Sequence, residues 1–161
     1  TPKINIEKLK HPNSRKTLSL IKKVKRNEKK DQNKLGTHIK QNLVGEKLMW
    51  FKERLPAECT VLTKSQILEL IITYLARFDE EVEQIELKNS IGQRRNKQHA
   101  GRLDVINMTR QRERDEFAGA GLELPALDDA AQLATLRAWS GELRYLQHFN
   151  FRRYTRNYLI T

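Results

Sequence analysis

An uneven distribution of charge limits where this chain can build a hydrophobic core. Lys and Arg total 31 of its 161 residues and Asp and Glu total 20, for a formal net charge of +11. The first forty residues hold 13 of the cations and only three of the acids, which leaves 18 cations against 17 acids in residues 41–161. Because clustered like charges resist burial, we expect the core to form after residue 40.

The cationic N-terminal segment, residues 1–36, is here named the basic arm. A cationic segment on a neutral body is typical of proteins that bind polyanions, because neutralised phosphates release condensed counterions. His11-Pro12-Asn13-Ser14 predicts a helix from about residue 14. Leu18, Ile21 and Val24 offer too little apolar surface for a stable isolated helix, so we expect the arm to become ordered on RNA. Its candidate RNA-binding residues are Arg15, Lys16, Lys22, Lys23, Lys25 and Arg26.

Two other roles for the arm stay open. It could be a nuclear localisation signal or a solvated run of charge. A membrane-surface helix is disfavoured, because the arm has no Trp or Phe to insert into the lipid interface.

The body predicts an all-α fold, a small irregular helical bundle over residues 37–142. Residues 42–55 have helical apolar spacing, and Gly45 within them indicates close approach by another helix. A capping box at Thr63 and Gln66 begins the next helix. Its apolar spacing of three and four continues to Ile85, which predicts one helix of about 25 residues ending near Gly92. The inward residues of this helix would be Leu68, Ile71, Leu75, Phe78, Val82 and Ile85.

The remaining predicted elements are shorter. A third helix starts near Leu103, with Leu103, Ile106 and Phe117 inward and a salt-bridged surface outward. That surface comprises Arg110, Arg112, Glu113, Arg114, Asp115 and Glu116. Residues 122–125 read as an extended connector, and Asp129 caps a short helix. Residues 143–161 form a basic aromatic tail.

Three further groups are candidate contact sites. Asp79, Glu83 and Glu86 share a helix face that could dock a basic protein, although a solvated acidic face is the simpler interpretation. A polar loop over residues 92–102 offers cations to phosphates, namely Arg94, Arg95, Lys97, His99 and Arg102. The tail interleaves aromatic residues with Arg144, Arg152, Arg153 and Arg156, and this pattern is typical either of single-strand binding or of packing across a bundle.

The sequence shows none of the usual catalytic patterns. It has no nucleophile with a supporting base, no nucleotide-binding loop and no cluster of metal ligands, so we predict a protein that is not an enzyme and uses no cofactor or metal. The lone Cys59 and the absence of a membrane span or secretory signal predict a soluble intracellular protein. The chain begins at Thr1 rather than at Met, so we expect native residues to precede it.

Several strings resemble the translation machinery-associated protein 16 family. They are His11-Pro12 with Ser14-Arg15-Lys16, NLVGEKLMWF at 42–51, YLARFDEEVEQIELKNSI at 74–91 and RERDEFAGAGLELP at 112–125. The resemblance runs from about residue 11 to Trp139, and the aromatic Arg-rich end departs from the family pattern. Arg94, Arg95 and His99 resemble the basic element of the family.

This resemblance implies a helical, non-enzymatic assembly factor of the nucleus and nucleolus. It would act on pre-60S particles, the precursors of the large ribosomal subunit, and contact ribosomal RNA, ribosomal proteins and assembly factors. Two alternatives remain. In one, the chain is a protein–protein adaptor whose acidic face docks a basic ribosomal protein while the arm serves only nuclear import; in the other, it is a general DNA-binding protein.

Overall fold

A computed structural model describes residues 11, 14–56, 59–91 and 99–160. The chain divides into two compact units, with the boundary between Val44 and Gly45. Both units are predominantly helical, as predicted, and six α-helices lie in the described residues. None of these helices is long and apolar enough to cross a membrane.

The first helix, α1 (Arg15–Arg54), is 40 residues long and contributes to both units. The expected helix start is confirmed, because the Ser14 hydroxyl accepts the Thr17 backbone amide at 3.2 Å. The Thr17 hydroxyl donates to the His11 carbonyl at 2.8 Å. The helix continues without a break from the arm into residues 42–54, two segments that we predicted separately.

At Gly45 the helix lies against another part of the second unit. A Cβ at this position would lie 2.7 Å from Leu143 Cδ2 and 3.9 Å from the Trp139 ring. The inferred close approach is therefore correct. It is made by Leu143, in a 3₁₀ helix (Leu143–His148), and by Trp139, which caps the end of the helix Ala130–Ala138. Further along α1, Leu48 and Phe51 are fully buried.

The predicted 25-residue helix is in fact two helices, α2 (Lys64–Leu75) and α3 (Asp79–Ile91). The capping box at Thr63 and Gln66 is present as predicted. The helix ends where the Arg77 amide bonds back only three residues, to the Tyr74 carbonyl at 3.3 Å. The Arg77 guanidinium donates to the same carbonyl at 2.8 Å, so its side chain satisfies the end of α2.

This break changes which residues of the segment face the core. In α2 the buried residues are Ile67, Ile71 and Tyr74, whereas we had predicted Leu68, Ile71 and Leu75. In α3, Val82 and Ile85 are buried against Ile106 as predicted. Ile71 is common to both sets, whereas Leu68 and Leu75 are half-buried and the residue before each of them, Ile67 and Tyr74, is buried instead.

The C-terminal third adds a small sheet to the helices. After α4 (Ala100–Ala118), strand β1 (Leu122–Pro125) pairs antiparallel with strand β2 (Phe151–Tyr154), and Leu122 lies opposite Tyr154. The connector that we predicted at 122–125 is thus a strand. Gly121, with φ of +90°, makes the turn into β1, where a Cβ would lie 2.9 Å from Thr155 Cγ2.

Residues 143–161, expected to form a tail, lie in the second compact unit. Between β1 and β2 the chain forms α5 (Ala130–Ala138) and the 3₁₀ helix, and α6 (Arg156–Ile160) follows β2 and packs on α2. Leu146, Phe149, Tyr154 and Leu159 from this region are buried. The aromatic residues therefore supply part of the core of this unit.

Candidate nucleic-acid interface

The cations of α1 within the first unit all lie at the surface. Residues 15–40 contain ten Lys and Arg side chains, and every one of them is exposed. In the described residues none of these ten forms an ion pair, and the one ion pair that α1 makes is between Arg54 and Glu53, in the second unit. The six predicted arm residues belong to this set: Arg15, Lys16, Lys22, Lys23, Lys25 and Arg26.

Helical geometry gathers these ten cations on one side of α1. At about 100° per residue, they span an arc of about 180°, from Lys25 on one edge to Lys16 and Lys34 on the other. We name this arc the basic half of α1. It adds Lys29, Lys30, Lys34 and Lys40, which our sequence prediction did not include among the binding residues. Lys29, Lys30 and Lys34 lie on the helix already predicted for the arm, and Lys40 lies on its continuation past residue 36, which the separate treatment of two segments concealed.

The predicted loop at 92–102 lies mostly outside the described residues. Arg94, Arg95 and Lys97 belong to that part of the chain. His99 precedes α4 and is half-buried, and Arg102 is in the first turns of α4. The Arg102 guanidinium makes a two-point contact with Glu81, at 2.7 and 2.9 Å, which raises the pKa of Arg102 and lowers the pKa of Glu81. Arg102 therefore reaches a phosphate only by giving up this pair.

The three C-terminal arginines of the predicted site have different surroundings. Arg152 pairs with Asp128, whereas Arg153 on β2 and Arg156 on α6 are exposed. Of the interleaved aromatic residues, Phe149 and Tyr154 are buried and Tyr145, Phe151 and Tyr158 keep about two fifths of their surface exposed. Packing, one of the two roles weighed from the sequence, is therefore confirmed for Phe149 and Tyr154, and binding of a single strand stays a prediction for the partly exposed rings.

The predicted acidic face lies at the start and middle of α3. Glu83 and Glu86 are exposed, with no ion pair among the described residues, and Asp79 pairs with Arg110 of α4 at 2.5 Å. Asp79 is therefore engaged within the fold. The three carboxylates share a face of α3, as predicted, but only two of them are free for a partner.

Glu113 is buried, and our prediction that it lies on the outer surface of α4 is wrong. Its carboxylate accepts the Tyr74 hydroxyl at 2.8 Å and two bonds from the Arg77 guanidinium, at 2.7 and 2.8 Å. The Arg77 guanidinium thus offsets the cost of burying the Glu113 carboxylate, and the pair links the end of α2 to α4. Burial, followed by the Glu113 charge, raises the pKa of the Tyr74 phenol.

Other cations of the second unit donate hydrogen bonds to backbone carbonyls of the same unit. Lys52 donates to the Trp139 carbonyl, and Arg137 donates to the carbonyls of Pro56 and Cys59, at 2.6 and 2.5 Å. The Tyr154 hydroxyl donates to Asp128 at 3.0 Å while it accepts the Leu127 amide at 2.9 Å. Burial, helped by the bond to Asp128, raises the pKa of Tyr154.

Several cations of the second unit form no ion pair in the part of the chain that the structure describes. On α4 these are Arg112 and Arg114, both exposed, although we predicted a salt-bridged surface there. Arg110 does form the predicted kind of ion pair, with Asp79. Unpaired cations among the described residues of the second unit are distributed over several helices and a strand, whereas the ten of the basic half lie on one side of one helix.

Together these features define a mostly helical protein whose first unit carries a one-sided cationic stretch of α1 and whose second unit uses several arginines to link its own elements. The family model described as translation machinery-associated protein 16 matches residues 6–156. The match continues well past Trp139, so our prediction that the chain departs from the family there is wrong.

Individual relatives agree with the family model. A Drosophila melanogaster protein named translation machinery-associated protein 16 homolog is 51% identical over 144 residues, which are 89% of this chain and 80% of the relative. Proteins named translation machinery-associated protein 16 from Danio rerio and Xenopus laevis are 39% and 38% identical, over 94% and 91% of this chain and 79% and 75% of their own lengths. The chain belongs to the translation machinery-associated protein 16 family.

Proposed function

We propose that this chain is a non-enzymatic ribosome biogenesis factor that binds pre-60S particles in the nucleus and nucleolus. The name of its family associates the relatives with the translation machinery, and we extend that association to this chain. Its partners would be ribosomal RNA, contacted by the basic half of α1, together with ribosomal proteins and assembly factors.

One observation carries the RNA part of this proposal. The ten cations of the basic half have no acidic partner among the described residues, while Arg77, Arg102, Arg110 and Arg152 of the second unit are all paired with carboxylates. A cation that is already paired must break its contact before it binds phosphate, and an exposed unpaired one need not. The basic half is therefore the surface that is best prepared for a phosphate backbone.

The sheet end of the second unit is a second contact candidate. Arg153 and Arg156 are exposed there, close in sequence to the partly exposed rings of Phe151 and Tyr158. Such a combination suits unpaired bases, because every base has a face that stacks on an aromatic ring.

The salt dependence of RNA binding tests the proposal. With a large-subunit ribosomal RNA fragment, contacts to about six or more phosphates lower the association constant by orders of magnitude between about 50 and 200 mM salt. An affinity that is independent of salt contradicts phosphate recognition. Comparable affinity for duplex DNA, without co-sedimentation with precursor particles, would instead favour the general DNA-binding alternative.

A deletion distinguishes this proposal from the adaptor alternative. Residues 1–35 are removed, a heterologous nuclear import signal is supplied, and co-sedimentation with precursor particles is measured. Loss of association is expected if the basic half holds the RNA. Full retention favours an adaptor that docks through the free carboxylates of Glu83 and Glu86.

A further inference from the structure

The side of α1 opposite the basic half has a separate chemical character. Between residues 15 and 40 this opposite side contains no Lys or Arg, and it carries both acids of the segment, Glu28 and Asp31. It also carries five of the six Leu, Ile and Val residues of the segment. We name it the apolar half of α1; its apolar members are Leu20, Ile21, Val24, Leu35 and Ile39.

Two apolar clusters separated by acids make up the apolar half. Leu20, Ile21 and Val24 lie near the helix start, and Leu35 and Ile39 lie about 22 Å further along, at about 1.5 Å per residue. Leu35 is 61% exposed and Ile39 is 50% exposed. Glu28 and Asp31 lie between the clusters and are exposed, with no ion pair in the described residues.

RNA does not suit this surface. Two carboxylates would face a phosphate backbone, and aliphatic side chains offer neither a stacking plane nor a hydrogen bond to a base. A lipid surface suits it no better, because acids divide the apolar residues and the basic arm has no aromatic anchor. A protein with apolar side chains and a positive charge between them complements it.

We propose that the apolar half of α1 docks a protein segment with two apolar contacts about 22 Å apart and Lys or Arg residues between them. The helix is then clamped from both sides, by RNA on the basic half and by this protein on the apolar half. The inference rests on the proposed function only in its choice of the precursor particle as the probe. It adds a protein interface that is separate from the acidic face of α3.

Substitution of the exposed apolar residues is the first test. L35Q/I39Q keeps good helix formers in place and removes the apolar contacts. We expect binding of the full chain to purified precursor particles to weaken about tenfold or more, with binding to naked ribosomal RNA within about twofold of the original chain. The matched control is I72Q/V105Q, which alters similarly exposed apolar residues of α2 and α4 and should leave particle binding near that of the original chain.

If L35Q/I39Q loses helicity, its weaker binding has two explanations. A pair of charge variants then provides an independent test. E28Q/D31N and S19K/N33K both raise the net charge by two, the first on the apolar half and the second on the basic half. Both should bind naked RNA more tightly. On particles, S19K/N33K should again bind more tightly, whereas E28Q/D31N should bind about threefold more weakly because it loses attraction to the basic residues of the docked protein.

The two binding probes separate failure of this inference from failure of the proposed function. Particle binding by L35Q/I39Q equal to that of the original chain overturns the inference, as does equal tightening on particles by the two charge variants. Loss of naked RNA binding in L35Q/I39Q also overturns it, since the apolar half would then contact RNA. If the unaltered chain shows no salt-dependent RNA binding, the proposed function itself is wrong.

Discussion

At the scale of single residues, the buried carboxylate of Glu113 is the clearest determinant of stability. It receives three hydrogen bonds from Tyr74 and Arg77, two groups that would otherwise be left unsatisfied at the end of α2. We expect Glu113→Ala to lower the free energy of unfolding by about 3 kcal/mol, because an unpaired guanidinium and a phenol would remain buried. Urea denaturation measures this loss.

The matched control is Glu83→Ala, on the exposed face of α3. Glu83 has no ion pair in the described residues, so its removal should change the free energy of unfolding by no more than about 0.5 kcal/mol. A loss below about 1 kcal/mol in the Glu113 variant would mean that the three bonds contribute little to the fold.

Tyr74 and Tyr154 make stability depend on alkaline pH. Burial raises the pKa of both phenols above the usual value near 10, so the folded state keeps protons that the unfolded state releases. Their contribution is fully present below about pH 10 and is lost as the pH rises toward the folded pKa. We expect the free energy of unfolding to fall above pH 10, by up to about 1.4 kcal/mol per pH unit for each tyrosine.

Tyr74→Phe checks the source of this loss. The variant is less stable at neutral pH, because Glu113 loses one hydrogen bond, but its stability should fall less steeply above pH 10. The same slope in both proteins would contradict the role of burial.

At the scale of elements, the two glycines of α1 have different surroundings. Nothing lies within 4 Å of a Cβ built on Gly36, whereas a Cβ on Gly45 would meet Leu143 at 2.7 Å. Gly36→Ala therefore gains helix propensity of about 1 kcal/mol, and we expect about fivefold slower amide hydrogen exchange around residue 36. Gly45→Ala should show a smaller gain or a loss, since Leu143 must move. Equal gains in both variants would show that the close approach at Gly45 is unimportant.

The elements also show what the sequence could and could not predict. The helix start at Ser14, the capping box at Thr63 and the core side of α3 depend on neighbouring residues, and local patterns predicted them. The break at Arg77 was missed because the spacing of apolar residues continues through it. Arg77, which lies in the break, pairs with a carboxylate 36 positions away, on Glu113, and no local pattern predicts that contact.

The small sheet was missed for a similar reason. Strand β1 has four residues, too few for an alternating pattern, and its partner β2 lies more than twenty positions later in the chain. For the candidate interface, composition located the arm and its cations. The one-sided arrangement of those cations needed the uninterrupted helix from Arg15 to Arg54.

At the scale of the whole molecule, the cations of the two units have different surroundings. Among the described residues, the first unit presents cations without ion pairs along one helix, and the second unit uses five of its arginines, Arg77, Arg102, Arg110, Arg137 and Arg152, to link its helices, turns and strands. Neutralising cations in the first unit should therefore change binding without changing the fold of the second. Neutralising Arg77 or Arg137 should destabilise the second unit and leave RNA binding by the basic half unchanged.

The most direct test of phosphate recognition by the basic half is the salt slope of ribosomal RNA binding. We compare the full chain with a variant in which Arg15, Lys16, Lys22, Lys23, Lys25 and Arg26 are all changed to Gln. The slope of log association constant against log salt concentration should become shallower by about 4–5, and by less than about 1 in the control R112Q/R114Q. An unchanged slope in the six-residue variant would contradict RNA binding through the basic half of α1.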